Sequence, residues 1–310
     1  MTSCVAVTGG TGFVGRHVLV ALRHAGLEVR SLSRSGSATV PGVTLVPGSL
    51  DNEASLAALV QGTQAVVHIA GAIRAVDRAG FDLINAGGTA RAVAAAAAQP
   101  GRRFIQVSSL AARQPTLSDY AASKQAGELA ALAYGEQMSV IVVRPPAVYG
   151  PHDRSTLPIM RGLDRGWLLH PAGSSARFSM LYAEDLAALI LALLAKPPRS
   201  GTILEPDDGM AGGYGWSELA MIAADRLKRR VRTVGVPRGV MSSLAALTEF
   251  YAGATGTLPL LSRGKVGELF NPDWVCQPGD MAALSGWRPR TRFGDGLMAT
   301  LDWYRTAGWL

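Results

Sequence analysis

The strongest constraint on this chain lies near its start, where Cys4-Val5-Ala6-Val7 runs directly into Thr8-Gly9-Gly10-Thr11-Gly12-Phe13-Val14-Gly15. The four apolar residues predict a buried strand. From Phe13 to Ala25 apolar residues recur at helical spacing, and the pattern stops at Gly26, which predicts a helix. Gly10, Gly12 and Gly15 fit G-x-G-x-x-G, and Gly9, Gly12 and Gly15 fit G-x-x-G-x-x-G. Alone, such a run is often no more than a tight turn. Between a strand and a helix, glycine lets backbone approach a ligand while the helix's unpaired N–H groups face an anion. The order strand, glycine turn, helix therefore predicts a site for a dinucleotide pyrophosphate.

The rest of the chain has room to build on that start. Its 310 residues are 48% hydrophobic and 17% charged, enough for one large α/β unit and a smaller lobe. The net charge is +7, with Lys228-Arg229-Arg230 the tightest basic cluster. That pattern suits anionic small molecules better than a nucleic-acid groove; a solvated basic face accounts for the cluster and for Arg102-Arg103 equally well. Cys4 and Cys276 are too few and too distant for a disulfide framework, and the five histidines show no ligand spacing, so no metal is expected. The early first strand leaves no room for a signal peptide, and the most apolar helix, 186–195, is too short to span a bilayer. A cytoplasmic setting is expected. Residues 239–262 are apolar in patches and read as packed helices or a substrate-side wall.

Strand-like and helix-like segments alternate through the first half. Residues 28–33, 43–46, 65–70, 104–107 and 140–144 read as further strands. Residues 52–61, 89–99 (stopped by Pro100) and 118–135 read as helices. Strands this apolar, separated by helices, predict a parallel sheet covered on both faces. After Pro145-Pro146 the rhythm breaks; a helix returns at 183–195, and the last hundred residues mix short helices, loops and tryptophans.

Tyr120 and Lys124, four apart in a helix, share one face. An ammonium beside a phenol favours the phenolate, which can then exchange a proton with a substrate oxygen. Such pairs also occur by chance. Here Ser108-Ser109 ends a predicted strand at the sheet edge where α/β proteins bind ligands. For Ser108 an ordinary turn or cap is the preferred reading.

Together these residues resemble the short-chain dehydrogenase/reductase superfamily in its extended branch, the NAD-dependent epimerase/dehydratases. The resemblance implies a Rossmann-like doubly wound parallel sheet with a smaller C-terminal substrate-binding lobe. Residues 1–150, with 177–200 packing back on them, would form the cofactor domain; 151–176 and 201–310 would form the lobe. Asn85 with Gly88-Thr89 looks like the branch's Asn-x-x-Gly-Thr helix. Ser109, Tyr120 and Lys124 match its catalytic set, with Asn85 as fourth member. The implied cofactor contacts are Gly9, Gly12, Phe13, Val14 and Gly15 in the glycine loop, and Ser33 and Arg34 after the second strand. Leu50, Ala70, Gly71, Tyr120, Lys124, Pro145 and Val148 complete them. Leu181 to Leu186 resembles a later motif in which Asp185 would cap a helix.

Two departures from the family pattern carry information. Where the branch often places an Asp that binds the adenosine ribose of NAD, this chain has Ser33-Arg34. A missing carboxylate and an added guanidinium favour NADP(H), with NAD(H) as the alternative. The diphosphate arginine of sugar-nucleotide members is one position out of register at Arg177-Phe178-Ser179, and a second is replaced by Gln277-Pro278-Gly279-Asp280. Arg154, Arg161 or Arg263 could still take an anion. The leading reading is an oxidoreductase acting on a carbonyl/alcohol substrate, Tyr120 being the acid/base and Ser109 holding the oxygen. The alternatives are a nucleotide-sugar epimerase/dehydratase and a non-catalytic dinucleotide-binding assembly subunit. The expected partner is a small-molecule substrate, not nucleic acid, and the helix 118–135 is a candidate pairing face for a homodimer.

Overall fold

A computed structural model describes residues 3–36, 40–99, 101–173 and 175–310; Pro100, read above as a helix stop, lies outside them. Two compact units emerge. The first comprises Met1–Pro145, Leu186–Glu205 and Pro278–Arg288, and the second Pro146–Asp185, Pro206–Gln277 and Pro289–Leu310.

The first unit is built on six strands in chain order: β1 (Cys4–Thr8), β2 (Glu28–Ser33), β3 (Thr44–Pro47), β4 (Ala65–His68), β5 (Arg103–Val107) and β6 (Ser139–Val143). A seventh strand, Thr202–Leu204, adds beside β6, giving the order Thr202–Leu204, β6, β5, β4, β1, β2, β3. Every pairing is parallel. β1 and β4 are buried along their whole length, as expected of strands covered on both faces. Order reverses beside β1, the topological switch point where doubly wound sheets bind ligands at the carboxyl ends of the strands. The fold is thus the Rossmann-like parallel sheet with a smaller C-terminal lobe.

The helices of this unit are α1 (Phe13–His24), α2 (Glu53–Val60), α3 (Arg78–Phe81), α4 (Gly87–Ala97) and α5 (Asp119–Leu132). Between α3 and α4 the chain makes a π-helical turn over Asp82–Ala86, which sequence periodicity did not signal. Ser118 caps α5 by accepting the Ala121 N–H, and Asn52 caps α2 through Ser55, the capping chemistry that sets helix starts.

The second unit has its own core, in which Tyr149, Tyr214, Phe293, Leu297, Leu301 and Tyr304 are buried together. Its strands form two-residue to five-residue parallel pairs, among them Ala147–Tyr149 with Met180–Tyr182 and Trp167–Pro171 with Arg232–Val236. Asp185 Oδ2 accepts the N–H groups of Arg290 and Thr291 at 3.1 and 2.8 Å, a structural tie within this unit.

Candidate active site

The glycine loop closes on itself by local geometry. Gly12 N–H donates to the Gly9 carbonyl at 3.0 Å. Gly9 has φ +76°, and a Cβ there would lie 2.5 Å from the Ala70 nitrogen. A Cβ on Gly15 would lie 2.0 Å from the Gly9 oxygen. Glycine is the only residue these two positions accept. Gly12 caps α1 without a side-chain bond, and the first turn carries no acidic residue. The N–H groups of Phe13, Val14 and Gly15 are those a helix leaves without internal partners, so the cradle fits a pyrophosphate.

At the carboxyl end of β2, Ser33 is buried and its Oγ has no hydrogen-bond partner among the described residues. Arg34 is exposed and, with Thr11 and Ser35, lines an open cavity of about 340 Å³. Leu50 is half-buried, and its carbonyl accepts from Arg91 Nε at 2.7 Å.

Beyond β4 the polar groups interlock. Asn85, on the π-helical turn, clasps Ala72 from both sides: its Oδ1 accepts the Ala72 N–H at 2.7 Å and its Nδ2 donates to the Ala72 carbonyl at 3.0 Å. Nδ2 also reaches Ser123 Oγ at 2.9 Å, and Ser123 bonds the Tyr120 carbonyl. A Cβ on Gly71 would sit 3.0 Å from Asn85 Oδ1 and 3.6 Å from Lys124 Nζ. The structure therefore brings Gly71, Asn85 and Lys124 together.

A second chain of bonds, which sequence reading missed, ties this cluster to the glycine strand. Thr89 Oγ donates to the Asn85 carbonyl at 2.6 Å. Its proton being spent, Thr89 accepts from His68 Nε2 at 3.1 Å, which leaves His68 Nδ1 to accept from Thr8 Oγ at 2.7 Å. Burial, helped by the charge of Lys124, holds the His68 pKa down at about 3, so the ring is neutral. A histidine inside an otherwise apolar strand was the available signal: a buried imidazole requires partners.

Lys124 is buried, and its Nζ donates to the Val107 carbonyl at 3.1 Å. Desolvation lowers its pKa to about 8, opposed by Glu128 one turn on. Tyr120 is half-buried, its ring edge-on to Phe81 at 6.0 Å. Ser109 caps a short 3₁₀ turn, Leu110–Arg113, its Oγ accepting the Ala111 N–H at 3.2 Å. Ser108, by contrast, donates to Glu128 Oε1 at 2.5 Å. Glu128 is itself gripped by Arg144, Nη2 to Oε2 at 2.6 Å. Pro145 closes the same edge, its carbonyl accepting the Leu110 N–H at 2.9 Å. Val148 belongs to the second unit, where it pairs with Leu181.

The arginines considered for a diphosphate are largely committed elsewhere. Arg177 donates to the carbonyls of Gly212 and Gly213 at 2.7 and 2.5 Å and pairs with Glu218 at 3.2 Å. Arg161 donates to the Trp309 carbonyl, Arg154 lies over the Trp309 ring at 4.8 Å, and Arg263 pairs with Glu249 at 3.5 Å. Asp280 caps the helix Met281–Ser285.

The NAD dependent epimerase/dehydratase family matches residues 5–204. Ceramide reductase of Caulobacter vibrioides is 38% identical over 99% of this chain and 96% of its own. Among solved structures, MoeE5 in complex with UDP-glucuronic acid and NAD superposes with TM-score 0.77 at 19% identity, covering 98% of this chain and 99% of its own. WbmG of Bordetella bronchiseptica in complex with NAD and UDP gives 0.73 at 18%, covering 99% and 96%.

These findings correct the NADP(H) expectation: the structures of MoeE5 and WbmG hold NAD. The physical reason lies at Ser33 and Arg34. Losing a carboxylate removes a repulsion without creating a need for phosphate. The buried neutral hydroxyl of Ser33 suits a ribose hydroxyl, and an exposed arginine is satisfied by water or by an adenine face.

Proposed function

The chain belongs to the NAD dependent epimerase/dehydratase family, and from that premise we propose that it is an NAD(H)-dependent reductase of a ceramide-type lipid carbonyl. Family and fold make it an NAD-binding enzyme of carbonyl/alcohol chemistry. The observation carrying the finer reading is the match to ceramide reductase, which spans nearly the whole of both chains, together with the intact Ser109, Tyr120 and Lys124 set.

In this reading the glycine cradle and the N-terminus of α1 hold the pyrophosphate. Ser33 bonds the adenosine ribose, and Arg34 covers the adenine. A bound nicotinamide supplies the two-electron transfer at the substrate carbon. Tyr120 gives the proton to the carbonyl oxygen, and Ser109 holds that oxygen. Lys124, charged below its pKa of about 8, stabilises the phenolate left behind. Asn85 positions Ala72 and, through Ser123, the Tyr120 helix.

A nucleotide-sugar epimerase or dehydratase is the second reading, favoured by the family description and by the nucleotide-bound solved relatives. Against it stands Arg177, whose guanidinium is spent on Gly212, Gly213 and Glu218. The test is a product assay with NADH and either the keto form of a ceramide-type lipid or UDP-glucose. The proposal expects a lipid alcohol and unchanged UDP-glucose. A converted nucleotide sugar with an untouched lipid would reverse it.

A further inference from the structure

The helix Arg238–Thr255 is built inside out for a surface helix. The small residues Ala245 and Ala252 face inward and are buried. Val240, Leu244, Leu247 and Tyr251, spaced four, three and four apart, share the opposite stripe, and all are exposed, with Leu247 at 64%. Phe250 beside them is 78% exposed. The chain then turns at Gly256 and presents Leu258 and Leu260, the latter at 72%, and Thr248 Oγ bonds the Leu261 carbonyl to hold this return on the helix at 2.5 Å. In the stretch 239–262, expected to form packed helices or a substrate-side wall, only small side chains of the helix are fully buried, and the large ones named above face solvent. Contiguous apolar surface on this scale marks an interaction site.

Charge identifies the occupant. Residues 229–268 carry Arg229, Arg230, Arg232, Arg238, Arg263 and Lys265 against Glu249 and Glu268, a net +4 of the chain's +7, and Lys265 pairs with Glu268 at 2.9 Å. Glu249 is held by Arg263 at 3.5 Å. Immediately upstream, the strand Arg232–Val236 lays Arg232 and Val234 opposite Trp167 and Leu169, and Trp167, Leu169 and Val234 are exposed. An apolar stripe inside a cationic segment fits the headgroup level of an anionic bilayer. Among the described residues no helix is long and apolar enough to cross a membrane, so this one would lie along the surface.

We propose that the helix Arg238–Thr255, with Leu258 and Leu260, docks this protein on anionic phospholipid membranes. The inference stands on the helix and its charge alone, independent of the substrate. The test is co-sedimentation of the full chain with phosphatidylcholine vesicles, with and without phosphatidylglycerol. Binding is expected only with phosphatidylglycerol and should fall as salt rises. Leu247→Glu with Phe250→Glu should weaken it at least about tenfold while leaving melting temperature and reduction of a water-soluble ketone unchanged. No binding by the unaltered protein, or binding indifferent to the double substitution, overturns the proposal. So does a dimer in solution that the same substitutions split while vesicles are ignored, because the stripe would then be a self-association face. Vesicle binding without any lipid reduction would leave this inference standing and remove the substrate reading.

Discussion

Lys124 shows what burial costs a charged side chain. Its folded pKa of about 8 lies below the ordinary 10.5 because burial penalises the ammonium. The penalty is absent above pH 10.5, grows as pH falls toward 8, and is constant below that. Lys124→Met should therefore abolish turnover yet raise stability at pH 7 by ~1 kcal/mol or more, read by denaturant titration. In the active enzyme, kcat/KM should decline on the alkaline side as Lys124 deprotonates with an apparent pKa near 8. Tyr120→Phe should lower kcat by about 10² to 10⁴-fold with NADH affinity nearly unchanged in a fluorescence titration. His68 works in the opposite pH range. Its folded pKa of about 3 lies below the ordinary 6.5, so its stabilising neutral form is fully present above pH 6.5 and is lost as pH falls toward 3. Between these limits it should add a slope approaching about 1.4 kcal/mol per pH unit, which His68→Gln would remove.

At the level of elements, the site depends on turns more than on regular structure. Gly15→Ala would drive a Cβ to 2.0 Å from the Gly9 oxygen, forcing the loop and α1 apart; NADH binding should be lost in the same fluorescence titration. Glu128→Ala should cost about 3–5 kcal/mol in chemical unfolding, because it strips a buried carboxylate from Arg144 and Ser108. The strand Glu28–Ser33 and the helix Ala183–Ala195 were legible in the sequence with the same bounds, since each combines strong periodicity with a clear stop. The π-helical turn at Asp82–Ala86 was not. It differs from an α-turn by one residue of hydrogen-bond reach and leaves no compositional mark, yet it aims Asn85 at Ala72. The strand Thr202–Leu204 was missed because three residues are too few to show a period.

For the whole molecule, the glycine loop and the Tyr-Lys pair made the family legible from sequence, because those residues answer to local geometry. The cofactor's ribose was misjudged because an absent carboxylate is a weak signal: it permits two ligands and selects neither. The outward face of the apolar helix was not legible because hydrophobic spacing gives a helix its stripe without saying which way the stripe faces. Both points concern what surrounds the chain. Net reduction with exchangeable NAD(H) makes a direct demand on the stoichiometry of cofactor use. Protein freed of dinucleotide should consume NADH and the keto form of a ceramide-type lipid in equal amounts, releasing NAD to solution. Substrate conversion with NAD retained by the protein and no net change in its redox state would rule out net reduction and make the protein an epimerase or dehydratase.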